Sequence, residues 1–197
     1  MTHLRYGMIA GLMTLSSAFA LTPAASAASG EEGAVEVVND AVGQTMTALE
    51  DQTISQSEAS GIIKLVKVDR VAQFALGKTW KTVSDDQKGR YIDAFHTYAN
   101  AQLQQHLSNL SVADAEVTDV TTRGEGDAIV TTKVATEDNP NESVSWRVID
   151  EGGWGIVDIQ VQDVWFAIQQ REQFQAVLDQ NNGDIDALIE KLSAGSL

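Results

Sequence analysis

Two histidines on one segment are the residues best suited to acid–base or metal chemistry in this 197-residue chain. His96 and His106 are ten residues apart, and the apolar spacing around them predicts a helix. About 15 Å along the helix axis would therefore separate them. That separation excludes a shared metal ion, and the chain has no cysteine to complete a zinc ligand set. Partly exposed helix histidines without a catalytic role are the simpler interpretation.

Carboxylates give no stronger indication of catalysis. Asp158 and Asp163 could act as an acid–base pair, but acidic residues occur throughout the chain. No Gly-x-Ser-x-Gly nucleophile elbow is present. Gly124-Glu125-Gly126 lies between two predicted strands and not before a helix, which excludes a dinucleotide fingerprint. The sequence predicts a protein that is not an enzyme and that has no metal and no cofactor.

A calcium-binding loop is a weak alternative near the C-terminus. Asp179 and Glu190 match positions 1 and 12 of such a loop. Gly183 falls at position 5, whereas the loop needs its glycine at position 6. We therefore interpret Asn182 and Gly183 as a helix C-cap and turn, and Asp184 as the N-cap of the next helix.

The N-terminus has the features of a cleaved export signal. Arg5 precedes an apolar stretch from Met8 to Leu21, and Ala25-Ser26-Ala27 fits the small-x-small cleavage rule. We expect residues 1–27 to be the signal peptide and residues 28–197 to form a single domain. The chain has no cysteine, which excludes disulfides and a lipid anchor. The expected location is the periplasm, in soluble form.

The charge of the exported part restricts its partners. Residues 28–197 carry twelve Lys and Arg against twenty-eight Asp and Glu, a formal charge of −16. Such an acidic domain repels nucleic acid. It is also unsuited to lasting adhesion to anionic membranes. The charge fits a soluble protein that approaches membranes and leaves them again.

Apolar residues at helical spacing predict helices in the N-terminal half. Thr53 to Ser60 is mostly polar and is interpreted as a loop or frayed helix. Ser84 and Gln87 form a Ser-x-x-Gln capping box, and Gly77 is a C-cap. The predicted helices cover residues 34–51, 69–76 and 84–107.

From Ser111 the apolar period changes to two, which indicates β-strands. Short turns between them favour an antiparallel meander. The predicted strands are 115–122, 128–135, 143–150 and 154–161, and two helices follow at 163–180 and 184–193. The expected fold is α+β, with helices packed on one face of a twisted, roughly four-stranded antiparallel sheet. An ideal strand would place Ile156 and Ile159 on opposite faces of that sheet.

Two blocks of sequence, taken in order, carry a family resemblance. The first runs from Val68 to Trp80 and continues through the Ser84 capping box to Phe95; the second combines Trp154-Gly-Ile-Val-Asp-Ile159, Arg171-x-x-Phe174 and Gly183 to Leu192. Together they resemble the Mla (maintenance of lipid asymmetry, or toluene tolerance) family of soluble periplasmic phospholipid carriers. The family usually has a Gly and a Ser after the closing strand, where this chain has Asp163 and Trp165.

The resemblance implies a carrier that holds phospholipid acyl tails in an internal apolar cavity and leaves the headgroup toward solvent. It also implies docking to an inner-membrane ABC lipid transporter and to an outer-membrane lipoprotein–porin complex. A hopanoid-associated lipid carrier of the same family is an alternative. Outside the family, one alternative function is a periplasmic protein-interaction module with a solid core. Another is a hydrolase that uses Asp and Glu residues dispersed along the chain.

Under the carrier interpretation, residues 28–197 form a single lipid-binding domain, in which apolar residues of several elements contact the lipid. The predicted lipid-binding residues are Phe74, Ile92, Phe95 and Ala99 from the helices, Trp146, Val148, Ile156 and Ile159 from the sheet, and Val164 and Phe166 at the rim.

Overall fold

The computed structural model describes residues 24–50, 54–108, 111–136, 139–195 and 197, with side chains from residue 30 onward. Residues 1–23 of the predicted signal peptide lie outside this part of the chain. The elements in chain order are α1 (Ala24–Leu49), α2 (Gln56–Ile63), α3 (Val68–Leu76), a 3₁₀ helix (Gly77–Lys81), α4 (Asp85–Leu107), β1 (Val112–Gly124), β2 (Asp127–Thr136), β3 (Glu142–Asp150), β4 (Trp154–Val161), β5 (Val164–Trp165), α5 (Phe166–Gln180) and α6 (Ile185–Ser193).

The strands form one antiparallel meander in the order β1-β2-β3-β4-β5. This confirms the predicted α+β class and the four main strands. The two-residue strand β5 was not predicted. It follows a tight turn in which Gln162 and Asp163 have φ values of 51° and 62°. Turns of this kind normally contain Asn or Gly, so this sequence gave no signal for a hairpin here.

Helix α1 lies across one face of the sheet, which we call the inner face. Its small side chains Ala34, Val38 and Ala41 are buried in a cluster with Val148 and Ile156. Next to Ala34, α1 approaches the sheet so closely that a Cβ added at Gly33 would lie 2.6 Å from Trp154 Nε1. Small residues therefore set the distance between the helix and the sheet.

The other helices form a second core of aromatic side chains. Tyr91, Phe95, Tyr98 and Phe174 make ring contacts with centroids 5.9–6.3 Å apart. Tyr91 is fully buried, and its hydroxyl donates a hydrogen bond to the Ala72 carbonyl at 2.8 Å. Burial raises the pKa of the Tyr91 phenol, so the group remains a neutral donor. This core joins α3, α4, α5 and α6 into one packed unit.

The helical unit joins the sheet along β4. The Lys67 N–H donates to the Ile156 carbonyl, and the Ile156 N–H donates to the Leu65 carbonyl, each at 2.8 Å. Asp158 Oδ1 accepts the Ala167 N–H at 2.9 Å, at the start of α5. Helices α3 and α5 thus both start at β4, whereas α1 covers the inner face.

Capping residues define two helix starts. Ser84 and Gln87 form the predicted capping box of α4. Ser55 and Glu58 form a second box that starts α2. Of the two interpretations of residues 53–60, a loop or a frayed helix, the loop is wrong from residue 56 onward, where the capped helix α2 begins. A Ser-x-x-Glu pattern before Ile62 was present in the sequence as a signal.

Because α1 lies so close to Trp154, we expect a glycine-to-alanine substitution at Gly33 to destabilise the protein, although alanine favours helices. Gly33→Ala should lower the free energy of unfolding by about 1–3 kcal/mol, because its methyl group overlaps the indole. Gly43→Ala on the same helix is the control, since an added Cβ there meets nothing within 4 Å. It should raise stability by about 0.5–1 kcal/mol. Denaturant unfolding measures both, and equal effects would contradict the packing.

The hydrogen bond from Ala167 predicts that Asp158 stabilises the start of α5. Asp158→Ala should lower the free energy of unfolding by about 1–3 kcal/mol, since it leaves backbone N–H groups without an acceptor. Asp158→Asn retains an oxygen acceptor and should cost less. Equal losses in the two variants, measured by denaturant unfolding, would contradict this capping role.

The pH dependence of stability provides a separate test of the same carboxyl. Burial raises the pKa of Asp158 above its ordinary value of 3.8, despite the bonds from Ala167 and Ile159 that lower it. The native state therefore binds this proton more tightly than the unfolded state does. Stability relative to Asp158→Asn should increase as pH falls toward 3.8 and decrease as pH rises. The opposite slope in parallel unfolding curves would show that the carboxyl is not desolvated.

Candidate functional site

A β-bulge in β4 determines which residues reach the inner face. Arg147 pairs with Asp158 and Val148 pairs with Ile156, so Val157 is an extra residue on β4. The bulge lets Ile156 and Ile159 belong to the same inner-face cluster. The expectation that they lie on opposite faces held only for an ideal strand.

The burial of apolar side chains on the inner face changes along the strands. Where α1 crosses it, Ala128, Val148 and Ile156 are buried. Further along the strands, away from Trp154, apolar inner-face residues are only half-buried. We call this region the open half of the inner face; it is formed by Val117, Val144, Trp146, Ile159 and Val161.

A buried hydroxyl positions the largest side chain of the open half. Thr132 is fully buried, and its Oγ1 accepts a hydrogen bond from Trp146 Nε1 at 2.9 Å. The Thr132 hydroxyl in turn lies 3.4 Å from the Val144 carbonyl, to which it donates. The polar edge of the indole is thus satisfied within the sheet. The remaining half-buried ring surface is available for apolar contacts.

The predicted rim residues lie beside the open half. Val164 pairs with Val161 across β4 and β5, and it is 42% exposed. Phe166 is 41% exposed, and its ring meets His106 edge-on at 5.8 Å. His106 lies in the last turn of α4. The end of α4 and the start of α5 therefore lie together at this side of the sheet.

The other predicted residues lie in different surroundings. Ile92 and Ala99 pack against the helical core, and Phe95, which is 4% exposed, is part of the aromatic cluster. Phe74 is exposed on α3. Val66 packs against both the helical core and the inner-face cluster, so the two cores are contiguous there.

The structure thus brings only some of the predicted residues together. Val148, Ile156, Trp146 and Ile159 share the inner face, and Val164 lies next to them across Val161. An Asp at Phe95 would place a charge in a packed core, so loss of lipid from that variant would not separate binding from folding. A lipid-binding role for each of the ten residues stays a prediction.

Sequence reasoning did not select Val117, Thr132, Val144 or Val161 as site residues. The alternation of Val144 with Trp146 and Val148 was visible in the sequence and could have indicated Val144. Thr132 carried no such signal, because a threonine in a strand is usually solvent-exposed.

Two grooves lie elsewhere, among the helices. One, of about 530 Å³, lies between α1 and α2 and includes Asn39, Asp40, Gln44 and Glu58. The other, of about 370 Å³, lies between α2 and α4. Both grooves include polar or charged side chains, which an acyl chain would separate from water.

Acid–base groups are engaged in structural contacts. His96 Nε2 lies 2.8 Å from Asp69 Oδ1 on the surface, and His106 Nδ1 lies 2.8 Å from the Gln102 carbonyl in the helix. Asp184 caps α6, as predicted from the sequence. Within residues 24–50, 54–108, 111–136 and 139–195, no group of three or more His, Asp or Glu side chains is placed to hold a metal ion. No described helix is long and apolar enough to cross a bilayer.

The fold is similar to that of a solved lipid complex. The phospholipid-binding protein from Ralstonia solanacearum, solved in complex with a phospholipid, matches this chain with a TM-score of 0.68 at 16% sequence identity. The match covers 84% of this chain and 96% of that chain. At this identity the similarity establishes the fold. No curated protein shows a significant match to the chain.

The family model for MlaC protein matches residues 34–194. This range includes most of α1 and every later helix and strand. The chain therefore belongs to the MlaC family.

Proposed function

We propose that this protein binds a phospholipid by its acyl tails on the open half of the inner face and carries it through the periplasm. The observation that supports this most strongly is the row of half-buried apolar side chains on the inner face, beside the cluster that α1 buries. A monomeric protein normally buries such a surface or uses it for binding. Membership of the MlaC family and the phospholipid held by the Ralstonia protein support the same ligand.

The energetics of tail transfer suit a carrier. Each methylene removed from water is worth about 0.8 kcal/mol, so two tails of about 14 methylenes represent roughly 20 kcal/mol. Transfer between an apolar protein surface and a bilayer is nearly neutral, because both environments are apolar. The protein would hold lipid firmly in water and exchange it at a membrane. This cycle needs no catalytic step.

The cellular context belongs to the same proposal. Residues 1–27 direct export, and residues 28–197 act as the soluble component between an inner-membrane ABC lipid transporter and an outer-membrane lipoprotein–porin complex. The headgroup remains toward solvent, so headgroup selectivity is low. A hopanoid-associated lipid is an alternative cargo, since apolar contacts also suit a polycyclic tail.

The main alternative function is a protein-interaction module with a solid core. The aromatic cluster of Tyr91, Phe95, Tyr98 and Phe174 favours it for the helical unit, which is closely packed. The open half of the inner face favours the carrier. Bound lipid separates the two functions.

Lipid mass spectrometry provides that test. Residues 28–197 are purified from a Gram-negative periplasm without detergent, and their organic extract is analysed. We expect about one phospholipid or hopanoid lipid per protein. A stably folded, lipid-free protein would favour the interaction module and contradict the carrier.

A pair of matched substitutions tests the location of the tails. Ile159→Asp places a charge on the open half and should lower bound lipid at least tenfold, because tails would desolvate the carboxylate. The control is Ile149→Asp, since Ile149 pairs with Gly155 and its side chain lies outside the inner-face cluster. Circular dichroism checks that both variants fold. Normal lipid content in folded Ile159→Asp would contradict this location.

A further inference from the structure

A patch on α3, the 3₁₀ helix and α5 combines exposed apolar side chains with cations. Phe74 is 45% exposed and Ile168 is 47% exposed, although both are large apolar residues. Arg171, Lys78 and Lys81 are exposed beside them. We call these five residues the basic apolar patch.

Helix geometry brings these residues together. Helices α3 and α5 both start at β4, where Lys67 and Ala167 are hydrogen-bonded, and they pack side by side. The Arg171 guanidinium carbon lies 5.5 Å from the centre of the Phe74 ring. A Cβ added at Gly77 would lie 3.0 Å from Arg171 Nε, so the arginine also lies against the end of α3.

The remaining members of the patch follow from periodicity. Ile168 lies one turn before Arg171 on α5, on neighbouring helix surface. Lys78 and Lys81 are three residues apart in a 3₁₀ helix, where such side chains are eclipsed. They therefore project on the same side, directly after Gly77.

The cations of the patch are not neutralised locally. Within the described part of the chain, Arg171, Lys78 and Lys81 form no ion pair with a carboxylate, whereas Lys88 and Arg90 do. Residues 28–197 as a whole carry −16, so three cations without an ion pair make the patch a positive region on an acidic protein.

We propose that the basic apolar patch binds the surface of an anionic phospholipid bilayer. Phe74 and Ile168 enter the boundary between headgroups and acyl chains, while Arg171, Lys78 and Lys81 contact lipid phosphates. Exposed apolar groups flanked by uncompensated cations match both layers of that surface. An acidic protein with an apolar interface could contact the same groups, and binding to protein-free vesicles distinguishes the bilayer from such a partner.

The acidity of the rest of the protein makes this contact reversible. Charges farther than about 8 Å are largely screened at physiological ionic strength, so the patch governs the contact itself. The remaining acidic surface opposes any wider adhesion. The patch adjoins Val164 through the first turn of α5, which brings the edge of the open half close to the membrane. Membrane binding by the patch goes beyond lipid carriage and does not require it.

Vesicle flotation tests the proposal with residues 28–197. The vesicles contain either pure phosphatidylcholine or seven parts phosphatidylcholine to three parts phosphatidylglycerol. We expect at least tenfold tighter binding to the anionic vesicles, and loss of that preference at high salt. Absence of binding to either kind of vesicle would overturn the proposal and favour an acidic protein as the ligand. Equal binding to both kinds of vesicle would also overturn it.

Variants with matched charge locate the contact. Lys78→Gln with Lys81→Gln should weaken binding to anionic vesicles about 25-fold, at about fivefold for each cation. Lys133→Gln with Lys191→Gln changes the net charge equally, because both lysines are exposed elsewhere, and should change binding less than twofold. Phe74→Ser should weaken binding to both vesicles. Equal losses in the two double variants would overturn the assignment to the patch.

The lipid content of each variant, measured by mass spectrometry, is read separately. We expect Lys78→Gln with Lys81→Gln to retain its bound lipid and lose vesicle binding. A wild-type protein that binds vesicles but contains no lipid would contradict the proposed carriage and support the patch. A lipid-loaded protein that does not bind anionic vesicles would support the proposed carriage and contradict membrane binding by the patch.

Discussion

One extra residue in β4 links the sheet, the helical unit and the candidate site. Because Val157 has no counterpart on β3, Ile156 and Ile159 both reach the inner face. The same shift leaves the Asp158 carboxylate free to accept the Ala167 N–H at the start of α5. A regular strand would turn one isoleucine outward and change the direction of the aspartate. The bulge therefore provides an apolar surface on one side and a helix anchor on the other.

The helical core and the sheet core have different physical roles. The helical core is filled by buried aromatic rings in mutual contact. The sheet core is made by small α1 side chains that cover only part of the inner face. A helix with larger residues, or one placed further along the strands, would close that face. The candidate site thus depends on apolar side chains of the inner face that stay only half-buried. The packed helical core supplies stability that these side chains do not.

Regular elements were largely predictable from the sequence, because periodicity and caps are local signals. The four main strands, the Ser84 start of α4, and the Asp184 start of α6 were predicted correctly. The strand β5 was missed because its turn places Gln162 and Asp163 at positive φ, where a two-residue hairpin normally has Asn-Gly or Asp-Gly.

The site was less predictable, since it depends on contacts between distant segments. Phe95 and Trp146 are both large apolar residues in periodic segments, yet one lies in a closed core and the other on the open half. Sequence periodicity identifies the inward side of an element but not whether another element covers it. The family resemblance supplied the expectation of a lipid, and the coverage by α1 located a surface for it.

The central claim is that acyl tails lie on the open half of the inner face. Cross-linking tests it most directly: a phospholipid with a photoreactive group in its tail is loaded, irradiated, and the adducts are mapped by peptide mass spectrometry. We expect adducts in β3 and β4, at Val144, Trp146, Ile159 or Val161. Adducts confined to the polar groove between α1 and α2, or to the surface of α4, would contradict the account.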